Sequence, residues 1–555
     1  MITSQEGATD GTSYAIAEHA ARSSLLNCLV REVHPLPAQR QGPVYFRLAS
    51  GVELVARLQW WSISGNHRWE HEIEVDRGTG RRSVAHADVV HLLLDEVGAA
   101  VGAGKRIPQH EFDALLDQIA NSVERTANFL SSSQAQAPSV CGHEITRRAE
   151  QSLILGHPFH PTPKSADGPL ASDLARFAPE LGTSFQLHYM ALSPEVVAGE
   201  RVGPGQWIPA EVLREGPSGW PVVPVHPLQA KYLQHHPVVS MLVADGALIP
   251  LGPIGSLVYP TSSVRTVCNP AFPTAWKLPL HLRITNFTRN IPTEHARRAA
   301  DASALVARLR SDWRHSGFGV LSETGWQGLN PLFVGEELAA ESTVIYRDNP
   351  FATGSAAPRV LAALVEAGSG SKPPTLVDEV RRARMGRTAW LEAYLRISLV
   401  PLLEVFGSDG LGFEAHLQNS LLHTEAGRPA QFWVRDMEGA HVSRDRLPAG
   451  LAADSPLVYT EDDAWQRLRY HAVVNQLAGV VSVLGHAERD EHKLWCVVAG
   501  VLASLGDSSS ASPYAEDLLC SQTLPAKANL VSRLVGSAES PRFVEIPNPI
   551  RICRP

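Results

Sequence analysis

Between residues 14 and 32 apolar side chains recur every three to four positions, the period that lines one face of a helix. VYFRLA at 44 to 49 and VELVARLQW at 52 to 60 read as a pair of strands. Two further helices are predicted near 86 to 101 and 110 to 130, the second with Phe112, Leu115, Leu116 and Ile119 at helical spacing. SSSQAQAPS at 131 to 139 then has the composition of a linker and marks an expected boundary. From 181 to about 290 the pattern changes to strands: TSFQLHYMAL, WPVVPV, SLVYPTSSVRTV and WKLPLHLRIT are rich in β-branched and aromatic residues, with proline and glycine between them. GSGSKPP at 368 to 374 closes this region. Beyond it, LVDEVRRARMGRTAWLEAYLRISLVPLLEVF and AWQRLRYHAVVNQLAGVVSVL read as long helices, the first ended or kinked by Pro401. No internal repeat is visible. The pattern predicts an α+β chain with a sheet-rich middle and a helix-rich end.

Composition narrows the class. A length of 555 residues exceeds one core and predicts roughly three to four domain-sized units. The hydrophobic fraction of 44% is that of a folded protein. A net charge of -8, with no long run of lysine and arginine, argues against nucleic acid as a partner. The N-terminus lacks the basic-then-apolar order of a signal peptide, and the apolar segment 242 to 259 is interrupted by Asp245, glycines and prolines. A soluble cytoplasmic protein without a membrane partner is expected. Cys28, Cys141, Cys268, Cys496, Cys520 and Cys553 are scattered without a CxxC pair, so buried thiols are expected rather than a zinc ribbon or a disulfide framework.

Four polar constellations could carry chemistry. The first is GHPFHPTPKSADG at 156 to 168. His157 and His160 have the spacing of a helical zinc pair, but Pro158, Pro161 and Pro163 forbid a helix and no third ligand lies nearby. A turn-capping role explains His157 as well as a functional one. His160 and Lys164, both donors on a stiffened loop, suit a carboxylate or a phosphate better than a metal.

The second runs from 261 to 290, TSSVRTVCNPAFPTAWKLPLHLRITNFTRN. Alternation puts Ser263 and Arg265 on one face, and Lys277, Arg283 and Thr285 on one face of the next strand. With CNPAFP as the connection, a simple antiparallel register sets Arg265 close to Lys277. Facing cations repel unless an anion lies between them. Splaying into solvent is the commoner fate of two such charges, yet Ser263, Thr285, Thr288 and Arg289 crowd the same stretch and favour a polyphosphate or polycarboxylate cradle.

The third and fourth, FEAHLQNSLL at 413 to 422 and QFWVRDMEG at 431 to 439, flank the turn-like TEAGRPA and read as a hairpin. Symmetrical pairing sets Asn419 opposite Asp436 and gathers Glu414, His416, Gln418, Asn419 and Asp436 at one end. Carboxylates and an amide converging there match the way magnesium is held beside nucleotide phosphates. Ordinary hairpin-end polarity accounts for Arg435 and Glu438 but less well for EAHLQN. Lys527 and Arg533 in KANLVSRL read as a solvated helix face, and His226 in PVHPLQ as a turn histidine.

In this order the stretches resemble the NRPS-independent siderophore synthetases, the IucA/IucC family, whose pattern is GHPxHPxxKxRxG, HPxQ, SxRT, a downstream lysine, TxxxR, ExHxQN and RDxxG. Here it appears as GHPFHPTPKSADG, HPLQ, SVRT, Lys277, TNFTR, EAHLQN and RDMEG, from 156 to 439, with KANLVSRL extending a weaker match. The segment before 150 is assigned by position alone. The resemblance implies a cupped hand of three parts: a thumb-like α/β part at 1–138, a sheet-rich fingers-like part at 139–372 and a mainly helical palm-like part at 373–555. It implies a homodimeric ligase that uses ATP and Mg2+ to adenylate a carboxylic acid, commonly citrate or a citryl derivative. An amine, alcohol or hydroxylamine-bearing partner then displaces AMP. Carried over by matching motif, Ser263, Arg265, Thr266, Lys277, Gln418, Asn419 and Asp436 would contact ATP. His160, Lys164, Thr285, Arg289 and His416 would surround the substrate, with Arg289, His416 and Lys277 catalytic. Glu414 and Asp436 would serve magnesium. One departure is Ala166, where the family has arginine; a different acid, compensation from elsewhere or loss of activity are its possible meanings.

Two readings from other classes compete. A kinase-like phosphotransferase would explain an asparagine and an aspartate across a hairpin but lacks a glycine-rich loop followed by a strand lysine; it would release ADP, where the ligase releases AMP and pyrophosphate. A non-catalytic carboxylate- or siderophore-binding protein would bind citrate without ATP-dependent hydroxamate formation.

Overall fold

The computed structural model describes residues 11–36, 41–101, 107–133, 142–168, 171–285, 287–311, 313, 317–349, 351–352, 356–367, 373–537 and 542–553. Most of the expected linker at 131 to 139 and most of GSGSKPP lie outside the described residues.

The N-terminal layer is an antiparallel meander of Gly42–Arg47, Glu53–Trp60, Arg68–Asp76 and Arg81–Ser83, covered by helices Gly11–Glu32, His86–Val101 and Gln109–Ser133. The three helices and the first two strands are those the apolar pattern predicts; strands Arg68–Asp76 and Arg81–Ser83 are not. Leu25, Leu29, Phe46, Leu54, Trp69 and Leu93 pack between them. The core is completed from the far end of the chain, because Leu530 and Leu534 of helix Asn529–Leu534 join the same cluster. Glu32 fixes that docking by accepting from Leu530 N at 3.1 Å and Val531 N at 2.8 Å, two of the orphan donors at a helix start.

Burial pushes the Glu32 carboxyl up to about 7, against the opposing pull of those two N–H groups and of Arg31. A carboxyl raised above its ordinary value of 4.5 contributes stability that is complete below that value and lost as pH rises through the folded value. Raising pH from about 5 to about 8 is therefore expected to destabilise the wild type by on the order of 1 kcal/mol more than Glu32→Gln. Thermal unfolding at both pH values reads this; parallel shifts in the two proteins would remove Glu32 from the account.

The middle is built on a six-stranded antiparallel sheet in the order Tyr259–Pro260, Thr266–Cys268, Thr274–Lys277, Val344–Asp348, Glu323–Leu329 and Val197–Arg201. Trp276, Tyr346 and Trp207 fill its core. A second small sheet pairs Phe287–Arg289 with Leu280–Ile284 and the latter with Ala166–Asp167. Lys277 therefore ends one sheet, while Arg283 and Thr285 belong to or adjoin another. The expectation that these three share one strand face fails because Leu278 and Pro279 carry the chain between the sheets.

Toward the C-terminus, hairpin Ser420–Glu425 and Arg428–Val434 is flanked by Arg359–Val360 and by Phe318–Val320, the latter in parallel. The predicted helix containing Pro401 is three helices, Thr375–Ala383, Arg387–Ile397 and Leu399–Asp409. The breaks fall at left-handed Arg384 and at Ser398, and Pro401 sits in the first turn of the third helix, where its missing N–H costs nothing. The other predicted helix runs Glu461–Leu468, Arg469–Leu477 and Ala478–Glu488, the central stretch being π-helical. Among the described residues no helix is long and apolar enough to cross a membrane.

The cysteine reading is corrected. Cys28 and Cys268 are buried thiols, but Cys496 and Cys553, 57 residues apart, form a disulfide. Tertiary packing of the C-terminal turn creates the pair, so no local spacing announces it. Cys141 lies outside the described residues. Arg533 is also not on a solvated face: it is buried and donates to Gln118 Oε1 at 3.0 and 2.7 Å.

Candidate active site

The first constellation is an anchored loop. Glu366 accepts from Ile154, Leu155 and Gly156 N–H groups at 2.7, 3.1 and 2.8 Å. Gly156 has φ 81°, and a Cβ there would press on the Pro163 ring, so only glycine fits. Lys164 is spent on this scaffold: its ammonium donates to Glu180 Oε1 at 2.6 Å and to Leu153 O at 2.5 Å. That placement departs from a free anion-binding lysine. His157 and His160 accept through Nδ1 from Phe159 N and Thr162 N, both at 3.1 Å. At His160 this bond puts the ring proton on Nε2. Ala166 is buried among Leu174, Leu228, Leu280 and Leu282, so its methyl lines an apolar cluster rather than an open pocket. His226 holds its expected turn role, capping helix Pro227–Leu233 through Leu228 N at 3.1 Å.

In the second constellation the register is Thr266 opposite Lys277, one position from the expected pairing of Arg265, whose carbonyl accepts from Leu278 N. The connection at 269–273 sets this register, while Val264 at φ 68° kinks the chain between Ser263 and Arg265. Thr285 is similarly left-handed at φ 59°. Two β-branched residues in this region are true outliers, of the kind that clusters at functional sites. Ser263 Oγ accepts from Thr266 N at 3.1 Å and closes the kink. Arg265 donates to the carbonyls of Arg289 and Asn290 at 2.9 and 3.2 Å. Arg289 donates to Ile284 O at 2.9 Å and Thr285 Oγ1 at 3.0 Å, while its buried Nε has no partner among the described residues. Burial, and then Arg265, lower the Arg289 guanidinium to about 10.

The anions that the facing cations require come from the hairpin. Lys277, with a side chain 4% exposed, donates to Asp436 Oδ1 at 2.5 Å and Glu438 Oε2 at 2.9 Å. Burial pulls its ammonium down, but Asp436, Glu438 and Glu323 outweigh this and hold it above its ordinary value. Burial likewise opposes ionisation of Asp436, and Lys277 and Arg347 overcome it. Glu323 pairs with Arg347 at 2.6 Å and accepts from Met437 N at 3.1 Å, which fixes Asp436 at φ 74°. Glu438 also meets His295 at 2.9 Å. Glu438, Arg347, Glu323 and His295 were missed in the sequence. Only Glu438 had a signal, its position two residues after Asp436.

The hairpin register also differs. Ser420 pairs with Val434, and Arg435 N donates to Asn419 O, so Arg435 rather than Asp436 lies opposite Asn419. The two-residue Ala426–Gly427 turn sets Glu425 opposite Arg428, and an irregularity between His423 and Thr424 then brings Ser420 opposite Val434. Arg435 therefore points away from the cations and forms a buried pair with Glu150, at 2.5 and 3.2 Å. Glu150 also accepts from Ser262 N and Oγ, and Gln418 Nε2 donates to Ser262 O at 3.0 Å. This clamp joins the TSSVRT loop to EAHLQN. Asn419 donates back to Glu414 O at 3.2 Å.

Glu414 lies 3.0 Å from His471. Burial opposes its ionisation, but His471, His416 and Lys527 hold its carboxyl far below the usual range. The π-helical stretch supplies His471, and also Asn475, whose amide meets His157 Nε2 at 2.8 Å and accepts from Leu417 N at 3.2 Å. Local widening of a helix is a recurrent device at functional sites. His416 Nδ1 accepts from Gln418 N and Asn419 N, both at 3.2 Å, so its proton too is on Nε2. Burial lowers it to about 4 and keeps it neutral. Lys527 is mostly buried near Glu414, not on a solvated face; burial lowers its ammonium despite that carboxylate.

Residues 146–366 match the model described as the IucA / IucC family, and 388–541 match one described as a ferric iron reductase FhuF-like transporter. The chain is 34% identical to the L-2,3-diaminopropanoate–citrate ligase of Staphylococcus aureus, over 96% of each chain. It is 25% identical to the spermidine-citrate ligase of Bacillus anthracis, over 96% of this chain and 98% of that one. The ATP-bound aerobactin synthetase IucA from Klebsiella pneumoniae has the same fold, with a TM-score of 0.84 at 23% identity over 96% of this chain and 99% of that one. With its ordered motifs, full-length relatives and shared fold, the chain belongs to the IucA/IucC family.

Proposed function

We propose that this protein uses ATP to adenylate citrate and transfers the citryl group to a primary amine, releasing AMP and pyrophosphate. One observation carries the reading: Arg265 and Arg289 are buried beside the Lys277–Asp436–Glu438 cluster, and Arg289 Nε has no partner among the described residues. A polyphosphate would give these two guanidiniums an anionic partner. Ser263, Thr266, Gln418 and Asn419 frame the nucleotide side of this cradle, and His160, Thr285 and His416 the carboxylate side.

In the first step a citrate carboxylate oxygen attacks the α-phosphorus and the bond to the β-phosphate oxygen breaks, expelling pyrophosphate. Arg289 and Lys277 stabilise the charge that spreads over the α-phosphate, and because the fold already holds them no reorganisation is needed. His416, neutral with its proton on Nε2, acts as a hydrogen-bond donor to a substrate oxygen and not as a base. In the second step the amine attacks the acyl carbon, AMP leaves with the acyl C–O bonding pair, and the amine releases a proton. Proximity is the main requirement here.

The donor set near Lys277 fits a hard divalent cation, since Asp436 and Glu438 both offer carboxylate oxygens and already converge on one positive charge. We assign Asp436 and Glu438 to magnesium, which supplies charge neutralisation on the phosphates. Glu414, held by His471, faces the histidine side and orients the amine. Lys164 serves as a positioning residue for the His160 loop.

The test is release of AMP and pyrophosphate with citrate and a panel of amines that includes L-2,3-diaminopropanoate and spermidine. AMP formation dependent on both citrate and an amine is expected. ADP formation, or citrate binding with no nucleotide turnover, would refute the proposal.

A further inference from the structure

A second group of reactive side chains shares no residue with the site above. His492 and Cys496 stand four apart on helix Glu491–Ala503 and so share one face. The short turn Arg551–Cys553 folds back onto that helix and brings Cys553 to them. Cys496 Sγ lies 3.7 Å from His492 Nδ1, and Cys553 Sγ lies 3.6 Å from His492 Nε2. All three ligand atoms fall within 4.8 Å of one another, the single His, Cys or carboxylate group of this kind among the described residues. His492 is exposed and the two cysteines are half-buried, so solvent reaches the cluster.

We infer that His492, Cys496 and Cys553 form a site for a thiophilic divalent cation such as zinc when the cysteines are reduced. The donor chemistry is that of a two-cysteine, one-histidine centre with water as fourth ligand. The sulfur–nitrogen spacings suit it: with metal–sulfur bonds near ~2.3 Å and metal–nitrogen near ~2.0 Å, adjacent ligands of a tetrahedron lie roughly 3.6 Å apart, and the two sulfurs, bonded to each other in the oxidised state, part to a similar distance on reduction. A turn of the imidazole aims one nitrogen at the metal. Disulfide and metal are alternative states of one cluster. A dithiol reductant opens the Cys496–Cys553 bond by two electrons, closing to its own disulfide and leaving two thiols; metal binding then releases both thiol protons to solvent. In either state the chain's last turn is tethered to the helix bearing Glu491, which fastens the N-terminal layer by accepting from Ser62 Oγ, Ser64 Oγ, Ile63 N and Ser64 N.

The test uses the full chain, reduced with a phosphine, freed of it without air and titrated with Co2+. One equivalent is expected to bind, with a near-ultraviolet thiolate-to-cobalt band and the visible bands of tetrahedral cobalt, both removed by Zn2+. Cys553→Ser is expected to abolish the charge-transfer band at one equivalent, and His492→Ala to weaken binding about tenfold or more. The air-oxidised protein is expected to bind no cobalt. Both variants are expected to unfold at the temperature of the reduced, metal-free wild type, which separates lost ligands from lost fold. Absence of the band in reduced wild type, or its retention in Cys553→Ser, would overturn the assignment, and a His492→Ala titration identical to wild type would overturn the three-ligand set.

Discussion

Arg289→Ala is expected to reduce ATP–pyrophosphate exchange by about 10²–10³-fold, the cost of removing a preorganised donor from the developing charge of a transition state. The expectation follows from the position of the guanidinium. One nitrogen is held by Ile284 O and Thr285 Oγ1, while Nε is buried with no partner among the described residues. A donor kept dry and unpaired is costly unless something fills its place during the reaction. Alanine removes the donor and the charge, and lysine restores the charge without the planar fork, so Arg289→Lys is expected to recover activity only in part. Measuring exchange with citrate at saturating ATP separates this from loss of nucleotide affinity. Near-normal exchange by Arg289→Ala would remove Arg289 from the reaction.

Arg435→Ala is expected to cost about 3–5 kcal/mol of stability, because it leaves the Glu150 carboxylate buried and unpaired. Burial opposes ionisation of Glu150, and the Arg435 pair with the Ser262 donors holds it below its ordinary value. Glu150→Ala should cost a similar amount and the double variant much less than the sum, since the two act as a unit. Replacing both by apolar residues of similar size is expected to restore most of the stability. A chain with several cores need not unfold in one step, so the reading is the shift of the transition followed by tryptophan fluorescence in urea. A shift below about 1 kcal/mol would show that solvent reaches the pair and that the clamp between the TSSVRT loop and EAHLQN is not structural.

Arg435 and Asp436 are neighbours in one motif, and their separation shows what the sequence conveyed. RDMEG was legible as a unit, but a one-residue register decides which side chain faces which way, since successive strand residues point to opposite sides. The Ala426–Gly427 turn and the irregularity at His423 and Thr424 together send Arg435 to Glu150 and leave Asp436 and Glu438 for Lys277. In the TSSVRT hairpin the connection between the strands likewise makes Thr266 the partner of Lys277. Glu323 and Arg347 lie in strands with no motif around them, and their role appears only when the six-stranded sheet sets them beside Asp436.

By itself the sequence determined the class of the protein, the N-terminal helices and first strand pair, the sheet-rich middle and the order of the charged motifs. Periodicity and local residue chemistry are enough for these, because each is set within a few residues of chain. Tertiary structure alone decided the registers, the pairing of Glu150 with Arg435 across 285 positions, the docking of Leu530 and Leu534 under the N-terminal sheet and the meeting of Cys496 with Cys553. The physical reason is common to all four. Contacts between distant segments are selected by the burial of whole faces and by the need to pair each buried charge, and neither leaves a mark in the local pattern of residues.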